Sequence, residues 1–360
     1  MNSQDSPEGT AMPDRLKVFV CTPLTDELCS LVTSLEPRID LVVEQDLLPP
    51  MRWAGDHDGD PGFTRTPAQQ ARFEALCDGA EALYGIPDTK PAQLARTVRA
   101  NPSLRWVHTM AAGGGSQVKA SGLTLDEMAP VEFTTSAGAH ADTLAEFAVF
   151  GVMAGAKDLP KLQRLQRERT WSTRWAMKQV FQMTVLVVGM GSIGRATALR
   201  FAALGARVIG VNRSIGEVPG VERVHPPTEL AAVVGQADAI INTLPQANDT
   251  TGLISAEVLA NVKPGAIFVS TGRGTCVDED ALAAALADGR LSYAALDVFA
   301  VEPLPASSPL WDLENVLVSP HTGALNPAED EIIARMFADN ARRLLDGEEL
   351  VNRIDRVNFY

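Results

Sequence analysis

The sequence predicts an α/β protein made of two doubly wound lobes, each built on a parallel sheet, and three observations lead to this fold class. The chain has 360 residues, which is more than one hydrophobic core usually organises. Two successive series of short apolar strand candidates alternate with helical stretches. The second series begins with an apolar strand that breaks into Gly189-Met-Gly191-Ser-Ile-Gly194 and continues at helical spacing.

The glycine stretch predicts the first half of a dinucleotide-binding βαβ unit of a Rossmann domain. Gly189 permits a tight turn, Gly191 lets the backbone approach a pyrophosphate, and Gly194 lets helix and strand pack closely. Ser192 and Ile193 complete the turn, and the free N–H groups of the following helix attract the phosphates. Gly205 stands where a C-terminal capping glycine belongs.

The composition excludes several classes of protein. A hydrophobic content of 46% and a charged content of 21% are typical of a globular protein, and a net charge of −14 argues against nucleic acid and anionic membranes as partners. No apolar run approaches the roughly 20 residues that span a bilayer. The four cysteines contain no Cys-x-x-Cys pair, so neither a disulfide framework nor a metal site is expected. We expect a cytoplasmic protein with a disordered tail over residues 1–14.

The first series of strands predicts a parallel sheet in the N-terminal lobe. Its strand candidates are Leu16–Val20, Ile39–Val43, Ala82–Tyr84, Trp106–Met110 and Val131–Thr134. The segment Glu44–Gln70 is too long for an ordinary connection. Arg52 and Trp53 inside it allow a substrate-facing role, and a surface excursion is an equally good interpretation.

A long helix over Asp142–Leu159 and an arm over Arg164–Gln182 join the two series. Tryptophans among arginines in the arm indicate a partner surface, or else they cap the adjacent core. Six strands are expected in the second sheet, and the later five are Val208–Val211, Ala239–Thr243, Ala266–Ser270, Ala294–Val298 and Val316–Ser319.

The end of the chain predicts one more helix, with Asn326 as N-cap and Pro327 as its first residue. This helix follows the complete second series, so we expect it to return to the first lobe. The predicted domains are therefore residues 15–140 plus 325–360 for substrate and residues 141–324 for the dinucleotide. The active site is expected in the cleft between them.

The chemistry is expected at the carboxyl ends of the second series of strands, where open α/β sheets bind ligands. These ends read Asn212-Arg213-Ser214, Thr243-Leu244-Pro245, Thr271-Gly272-Arg273, Asp297 to Pro303, and Ser319 to Gly323. An arginine, a glutamate and a histidine follow three different strands, namely Arg273, Glu302 and His321. Packing alone does not account for three such residues at ligand-facing positions.

With these motifs the sequence resembles the D-isomer-specific 2-hydroxyacid dehydrogenase family, which includes a glyoxylate/hydroxypyruvate reductase-like branch. The matching stretches are Gly189 to Gly194, Leu244-Pro245 with Thr251 to Ile254, Lys263 to Asp278, Asp297 to Phe299 with Glu302-Pro303, Pro309 to Trp311, and Ser319 to His321. The resemblance implies a flavodoxin-like substrate domain beside the Rossmann domain. It also implies hydride transfer between a nicotinamide cofactor and a small 2-keto acid or (R)-2-hydroxy acid.

The resemblance assigns roles to individual residues. Arg273 is similar to the arginine that binds the substrate carboxylate and carbonyl, and His321 to the acid–base histidine. Glu302 is similar to the carboxylate that orients this histidine, and Asp297 to the residue that binds the nicotinamide amide. The loop containing Ala112, Gly113 and Gly114 is similar to the loop whose backbone N–H groups bind the substrate carboxylate, although the family more often has valine and aspartate where Gly114 and Gly115 stand.

The choice of cofactor depends on the residues after the second strand of the dinucleotide domain. An NAD site usually has an acidic residue there, whereas this chain has Asn212, Arg213 and Ser214. Arg213 is suited to pair with a 2′-phosphate, so NADP(H) is favoured and NAD(H) stays possible. The remaining cofactor contacts are expected from Thr243, Leu244, Pro245, Thr271 and Gly272.

A second interpretation belongs to a different class of protein. The co-repressor branch of the same fold binds a dinucleotide to control assembly and retains the same triad, so Arg273 and His321 do not exclude it. The ordinary enzyme length and the lack of long interaction tails favour the enzyme. The resemblance and the Arg164–Gln182 arm together imply a homodimer.

Overall fold

The computed structural model describes residues 15–247 and 249–359, so the predicted tail at residues 1–14 lies outside the described part. The chain divides into two compact units. Among the described residues, unit 1 contains 15–139 and 326–359, and unit 2 contains those within 140–325.

Unit 1 is organised around a five-stranded parallel sheet. Its strands are β1 (Leu16–Val20), β2 (Ile39–Val42), β3 (Ala82–Tyr84), β4 (Trp106–Thr109) and β5 (Glu132–Thr135). Its first helices are α1 (Asp26–Leu35), α2 (Pro67–Asp78), α3 (Pro91–Ala100), α4 (Gly115–Ala120) and α5 (Leu125–Met128). The strand order β2-β1-β3-β4-β5 is the flavodoxin-like order, which confirms the predicted class of this lobe.

Unit 2 is organised around a seven-stranded parallel sheet. Its strands are β6 (Thr184–Val188), β7 (Arg207–Val211), β8 (Arg223–His225), β9 (Ala239–Asn242), β10 (Ala266–Ser270), β11 (Leu291–Leu296) and β12 (Val316–Val318). Its helices are α6 (Ala141–Ala156), α7 (Leu159–Arg167), α8 (Ser192–Ala203), α9 (Leu230–Val233), α10 (Ala256–Ala260) and α11 (Glu279–Ala287). The Rossmann class is confirmed. The expectation of six strands was wrong, because β8 adds a seventh at the edge beside β7.

The last helix, α12 (Glu329–Asp346), belongs to unit 1 and packs against α1. Its Phe337 stacks on Trp106 of β4, with ring centroids 4.4 Å apart, in the core of that unit. The predicted start was wrong by two residues. The Asn326 side chain accepts a hydrogen bond from the Ala328 N–H at 2.9 Å, so it closes a turn ahead of the helix instead of capping the helix itself.

Two further boundaries differ from the prediction. The helix expected over Asp142–Leu159 ends at Ala156, because Asp158 has a left-handed backbone (φ 55°) and α7 begins after it. The arm predicted from Arg164 therefore starts inside α7. Gly205 confirms its predicted role at the end of α8: its φ is +81°, and the next N–H, that of Ala206, donates to the Phe201 carbonyl at 3.0 Å. Among the described residues no helix is both long and apolar enough to cross a membrane.

Candidate active site

The parallel strands of unit 2 bring the predicted site residues to one edge of the sheet. The strand order is β12-β11-β10-β9-β6-β7-β8. Successive strands are therefore added on one side of β6 up to β8, and on the other side from β9 onward, so the strand order reverses between β6 and β9. Such a reversal opens a crevice at the carboxyl ends of the strands, where ligands bind in this kind of sheet. The glycine turn follows β6 at this point, Arg273 follows β10, and His321 follows β12.

The glycine turn has the close packing that the motif requires. Gly189 has a φ of +101°, which favours glycine. A Cβ on Gly194 would lie 1.9 Å from the Gly189 carbonyl oxygen, so helix α8 approaches the turn more closely than any side chain allows. A Cβ on Gly191, by contrast, would meet no atom within 4 Å. Gly191 therefore borders open space at the N-terminus of α8, next to the exposed Ser192 and the half-buried Ile193.

The ends of the neighbouring strands brace this turn. The Thr243 hydroxyl lies 3.1 Å from the Val188 carbonyl oxygen and 2.9 Å from that of Gly189. A Cβ on Gly272 would lie 2.5 Å from the Leu244 carbonyl oxygen, so the loops after β9 and β10 are in backbone contact. The hydroxyl of the buried Thr271 donates to the Asn242 carbonyl at 3.3 Å, whereas Pro245 is exposed.

The residues after β7 present an arginine that is already paired. Asn212 is held locally, since its amide oxygen accepts from the Met190 N–H and its amide nitrogen donates to the Ser214 carbonyl. Arg213 is exposed and forms an ion pair with Asp249, at 3.0 Å between Nη1 and Oδ2. No local sequence pattern indicates Asp249 as a partner, because 36 residues separate it from Arg213.

Arg273 follows β10 and is half-buried. Its Nη1 donates to the Gly272 carbonyl at 2.9 Å, and its own carbonyl accepts from the Asn242 side chain at 3.3 Å. A guanidinium group carries five donors in a planar fork, so donors remain for an anionic ligand beyond the one bond to Gly272.

The structure places His321 and Glu302 in direct contact. The Nδ1 atom of His321 lies 2.8 Å from Oε2 of Glu302, and both side chains are partly exposed. The other carboxylate oxygen of Glu302 accepts from the Phe299 N–H at 2.9 Å, which orients the carboxylate. With Nδ1–H donating to the glutamate, Nε2 is the ring nitrogen available to a ligand.

Asp297 has a structural role that its sequence context did not predict. Its side chain is fully buried, and Oδ1 accepts from the Ser319 hydroxyl at 2.6 Å and from the backbone N–H groups of Thr322 and Gly323 at 3.0 Å. It therefore anchors the segment that carries His321, whose φ is +54°. The residue types on either side of His321 did not predict that Asp297 would bind them.

The predicted carboxylate loop lies in unit 1, between β4 and α4. Ala111 and Gly113 are exposed, Ala112 is half-buried, and Gly114 and Gly115 are buried. The Gly114 N–H donates to the Ala111 carbonyl at 3.1 Å. Within the described part of the chain, the N–H groups of Ala112 and Gly113 donate no hydrogen bond, so both are available to an anion.

The segment after β3 and the long connection before α2 are both held within unit 1. Tyr84 and Ile86 are buried in the core of unit 1. In the long connection, Arg52 forms an ion pair with Asp56 at 2.7 Å and lies over the Trp53 ring at 4.1 Å. The Arg52 guanidinium is thus held within its own loop.

Comparisons with known proteins agree with these features. Residues 149–323 match the model of the D-isomer specific 2-hydroxyacid dehydrogenase NAD binding domain. Glyoxylate/hydroxypyruvate reductase A of Citrobacter koseri is 34% identical over 219 residues, covering 60% of this chain and 69% of that protein. D-3-phosphoglycerate dehydrogenase of Mycobacterium bovis is 37% identical over 205 residues, covering 57% of this chain but only 39% of the longer relative.

The solved structures extend the similarity to both units. A D-isomer specific 2-hydroxyacid dehydrogenase from Xanthobacter autotrophicus Py2, solved in complex with NADPH and MES, is 29% identical with a TM-score of 0.74. The alignment covers 96% of this chain and all of that one.

Proposed function

This chain belongs to the D-isomer-specific 2-hydroxyacid dehydrogenase family, and we propose that it is an oxidoreductase that reduces a small 2-keto acid to the (R)-2-hydroxy acid. The single observation that carries this proposal is the 2.8 Å contact of His321 with Glu302 at the sheet edge that also presents Arg273. A proton donor and a cation beside a dinucleotide turn are the groups that carbonyl reduction of an anionic substrate requires.

The residues around the glycine turn fit a dinucleotide. Open space borders Gly191 at the N-terminus of α8, where unpaired N–H groups and the helix dipole favour phosphate. We propose that the turn residues, together with Asn212 to Ser214, Thr243 to Pro245, Thr271, Gly272 and Asp297, hold the cofactor. When bound, the nicotinamide supplies the hydride.

We propose NADP(H) as the favoured cofactor, with NAD(H) possible. The Xanthobacter relative was solved with NADPH, and Arg213 follows β7 here, where an acidic residue would repel a 2′-phosphate. The ion pair of Arg213 with Asp249 must open, or share its guanidinium, when a 2′-phosphate binds.

The residues divide the chemistry as follows. The loop at Ala112, Gly113 and Gly114 binds the substrate carboxylate, with the N–H groups of Ala112 and Gly113 as donors, and Arg273 bonds the carboxylate and the adjacent carbonyl. His321 donates the proton on Nε2 to the carbonyl oxygen while hydride reaches the carbonyl carbon, so a hydroxyl group forms and the imidazole becomes neutral. Glu302 keeps the ring oriented through its 2.8 Å contact with Nδ1.

The test is a panel of glyoxylate, hydroxypyruvate, pyruvate and bulkier keto acids, assayed with NADPH and with NADH. We expect His321→Asn to lower kcat by about 10²- to 10⁴-fold, the range that general acid catalysis contributes, with the Kd for NADPH unchanged. Arg273→Lys keeps the positive charge but loses the planar fork, so it should raise KM and also lower kcat. If no 2-keto acid is reduced although NADPH binds, the enzyme assignment fails and the dinucleotide-sensing interpretation replaces it.

We also propose that residues 15–140 with 325–360 form the substrate domain, that residues 141–324 form the dinucleotide domain, and that the chain forms a homodimer through the Arg164–Gln182 arm. Trp171 in this arm is fully exposed, which supports a partner surface over a cap on the core. Phe150 of α6 and Leu162 of α7 are exposed as well. Light scattering should give a dimer for the natural chain, and a monomer for Trp171→Asp would support this surface.

A further inference from the structure

We infer that the C-terminal residues 355–359 are a positioning element for the carboxylate loop, and that their contact with Gly115 sets the affinity of the enzyme for its keto acid. This inference rests on the proposed function, because it assigns substrate binding to the loop at residues 111–115. Phe359 touches the loop through its backbone, so it acts through Gly113 and its neighbours and is not itself a catalytic residue.

The contact is visible in the space around the two buried glycines. A Cβ on Gly115 would lie 2.1 Å from the Phe359 carbonyl oxygen and 2.7 Å from its carbonyl carbon. A Cβ on Gly114 would lie 1.8 Å from the Thr109 hydroxyl oxygen. The loop is thus enclosed between the end of β4 and the C-terminal backbone, and only residues without side chains fit at both positions.

The C-terminal segment is itself fixed by hydrogen bonds. Oδ1 of Asp355 accepts from the N–H groups of Val357 and Asn358 at 2.9 and 2.6 Å, and the Phe359 N–H donates to the Asp355 carbonyl at 2.7 Å. Arg356 donates to the Val131 carbonyl at 2.9 Å, directly before β5. The Phe359 ring packs against the core of unit 1. The Phe359 carbonyl is therefore held at a defined place.

This packing supplies what the loop sequence lacks. Three consecutive glycines, Gly113 to Gly115, have no side chains with which to hold their own backbone, and glycine loses more conformational freedom on ordering than any other residue. The donors offered to the carboxylate are the N–H groups of Ala112 and Gly113, immediately before the packed pair. Fixing Gly114 and Gly115 from both sides orders those donors before the substrate arrives.

The test uses a chain that ends at Asn358, alone and combined with Gly115→Ala. We expect the shortened chain to show a KM for its keto acid raised about five- to tenfold, since ordering one residue's backbone costs roughly that factor or more. The kcat should change less than about twofold, and the Kd for NADPH should not change, because the cofactor residues lie in unit 2. Val357→Ala is the matched control: its side chain is exposed, and its N–H bond to Asp355 is retained.

The combination separates a specific contact from general damage. Gly115→Ala in the full-length chain should raise KM to a similar extent, because the new methyl group must displace the Phe359 carbonyl. In the shortened chain the same substitution should raise KM by less than about twofold more, since the obstructing atoms of Phe359 are gone. If Gly115→Ala raised KM by the same factor in both chains, or if KM were unchanged in the shortened chain, the inference would be overturned.

A readout that needs no turnover keeps this test separate from the proposed function. Hydrogen exchange of the amides of residues 112–118 should be faster in the shortened chain than in the full-length chain and in Val357→Ala. If the full-length chain reduces no keto acid, the proposed function fails, and exchange alone then decides whether the segment orders the loop. Unchanged exchange refutes the inference.

Discussion

Acid should destabilise unit 1 through His108, the residue of β4 that lies one position before the end of the strand and leads into the carboxylate loop. This side chain is fully buried. Burial lowers the pKa of His108 from 6.5 to about 3, and His57 adds a smaller effect in the same direction. The imidazole is therefore neutral in the folded protein throughout the physiological range.

The hydrogen bonds around His108 explain why the neutral form is preferred. The Thr134 hydroxyl oxygen accepts from the Trp106 indole N–H at 2.8 Å and lies 2.8 Å from Nδ1 of His108. The Thr134 hydroxyl hydrogen can then be donated to Nδ1, which must be unprotonated to accept it. Nε2 donates to Ser136 at 3.1 Å, and Ser136 donates to the Thr109 carbonyl at 3.1 Å. A second proton on the ring leaves the Thr134 hydroxyl hydrogen without its acceptor.

The size of the effect follows from linkage. Below pH 6.5 the unfolded chain protonates this histidine, whereas the folded chain does so only near pH 3. The unfolded state then binds more protons, so stability is lost progressively as the pH falls from about 6.5 to about 3. Between pH 7 and pH 5 this one group should lower the free energy of unfolding by about 2 kcal/mol. Carboxyl groups whose pKa is lowered, such as that of Glu36, lose their contribution only at lower pH.

Urea unfolding followed by circular dichroism at pH 7 and pH 5 measures this loss. His108→Asn should be less stable than the natural chain at pH 7. Between pH 7 and pH 5, however, its free energy of unfolding should fall by about 2 kcal/mol less than that of the natural chain. Phe133→Leu is the matched control, because it removes buried apolar volume from the same core and leaves His108 and its hydrogen-bond partners in place, so its pH dependence should stay that of the natural chain. An undiminished loss in His108→Asn would refute the argument.

Two further predictions concern the dinucleotide site. Gly194→Ala should lower the melting temperature and abolish NADPH binding, because its Cβ would lie 1.9 Å from the Gly189 carbonyl oxygen. Gly191→Ala should leave the melting temperature unchanged and weaken NADPH binding, since its Cβ enters open space. Equal melting temperatures for the two variants would contradict this prediction. Asp249→Asn should raise the ratio of kcat/KM for NADPH over NADH about three- to tenfold, because it removes the ion pair with Arg213 and a like charge near the 2′-phosphate. Arg213→Gln should lower this ratio. A ratio unchanged by Asp249→Asn would show that the ion pair does not limit cofactor choice.

Local sequence predicted the elements with strong apolar runs and missed those without them. Strand β10 lies at Ala266–Ser270 as predicted, because five buried apolar or small residues are bounded by a turn. Strand β11 was predicted at Ala294–Val298 and lies at Leu291–Leu296, since the apolar run is longer than the strand and residue type marks no boundary inside it. Strand β8 has three residues and gave no signal, because it forms only by pairing with β7.

The sequence by itself determined which candidate reactive groups follow the strands of unit 2 and the edge of the sheet at which they lie. Alternating apolar strands and helices specify parallel sheets, and parallel strands all end on one side, so residues after successive strands share an edge whatever their separation in the chain. Arg273, Glu302 and His321 were predicted as site residues on that basis.

Only the tertiary structure decided which of these groups are held, and by what. Asp297 anchors the segment that carries His321, and Asp249 forms an ion pair with Arg213. The Phe359 backbone packs against Gly115, although more than half the chain separates the two residues. These contacts join loops that are distant in sequence, and they depend on how the loops pack once the sheets have formed. No local pattern of residue types encodes that packing, so a sequence can name the reactive groups without naming the residues that position them.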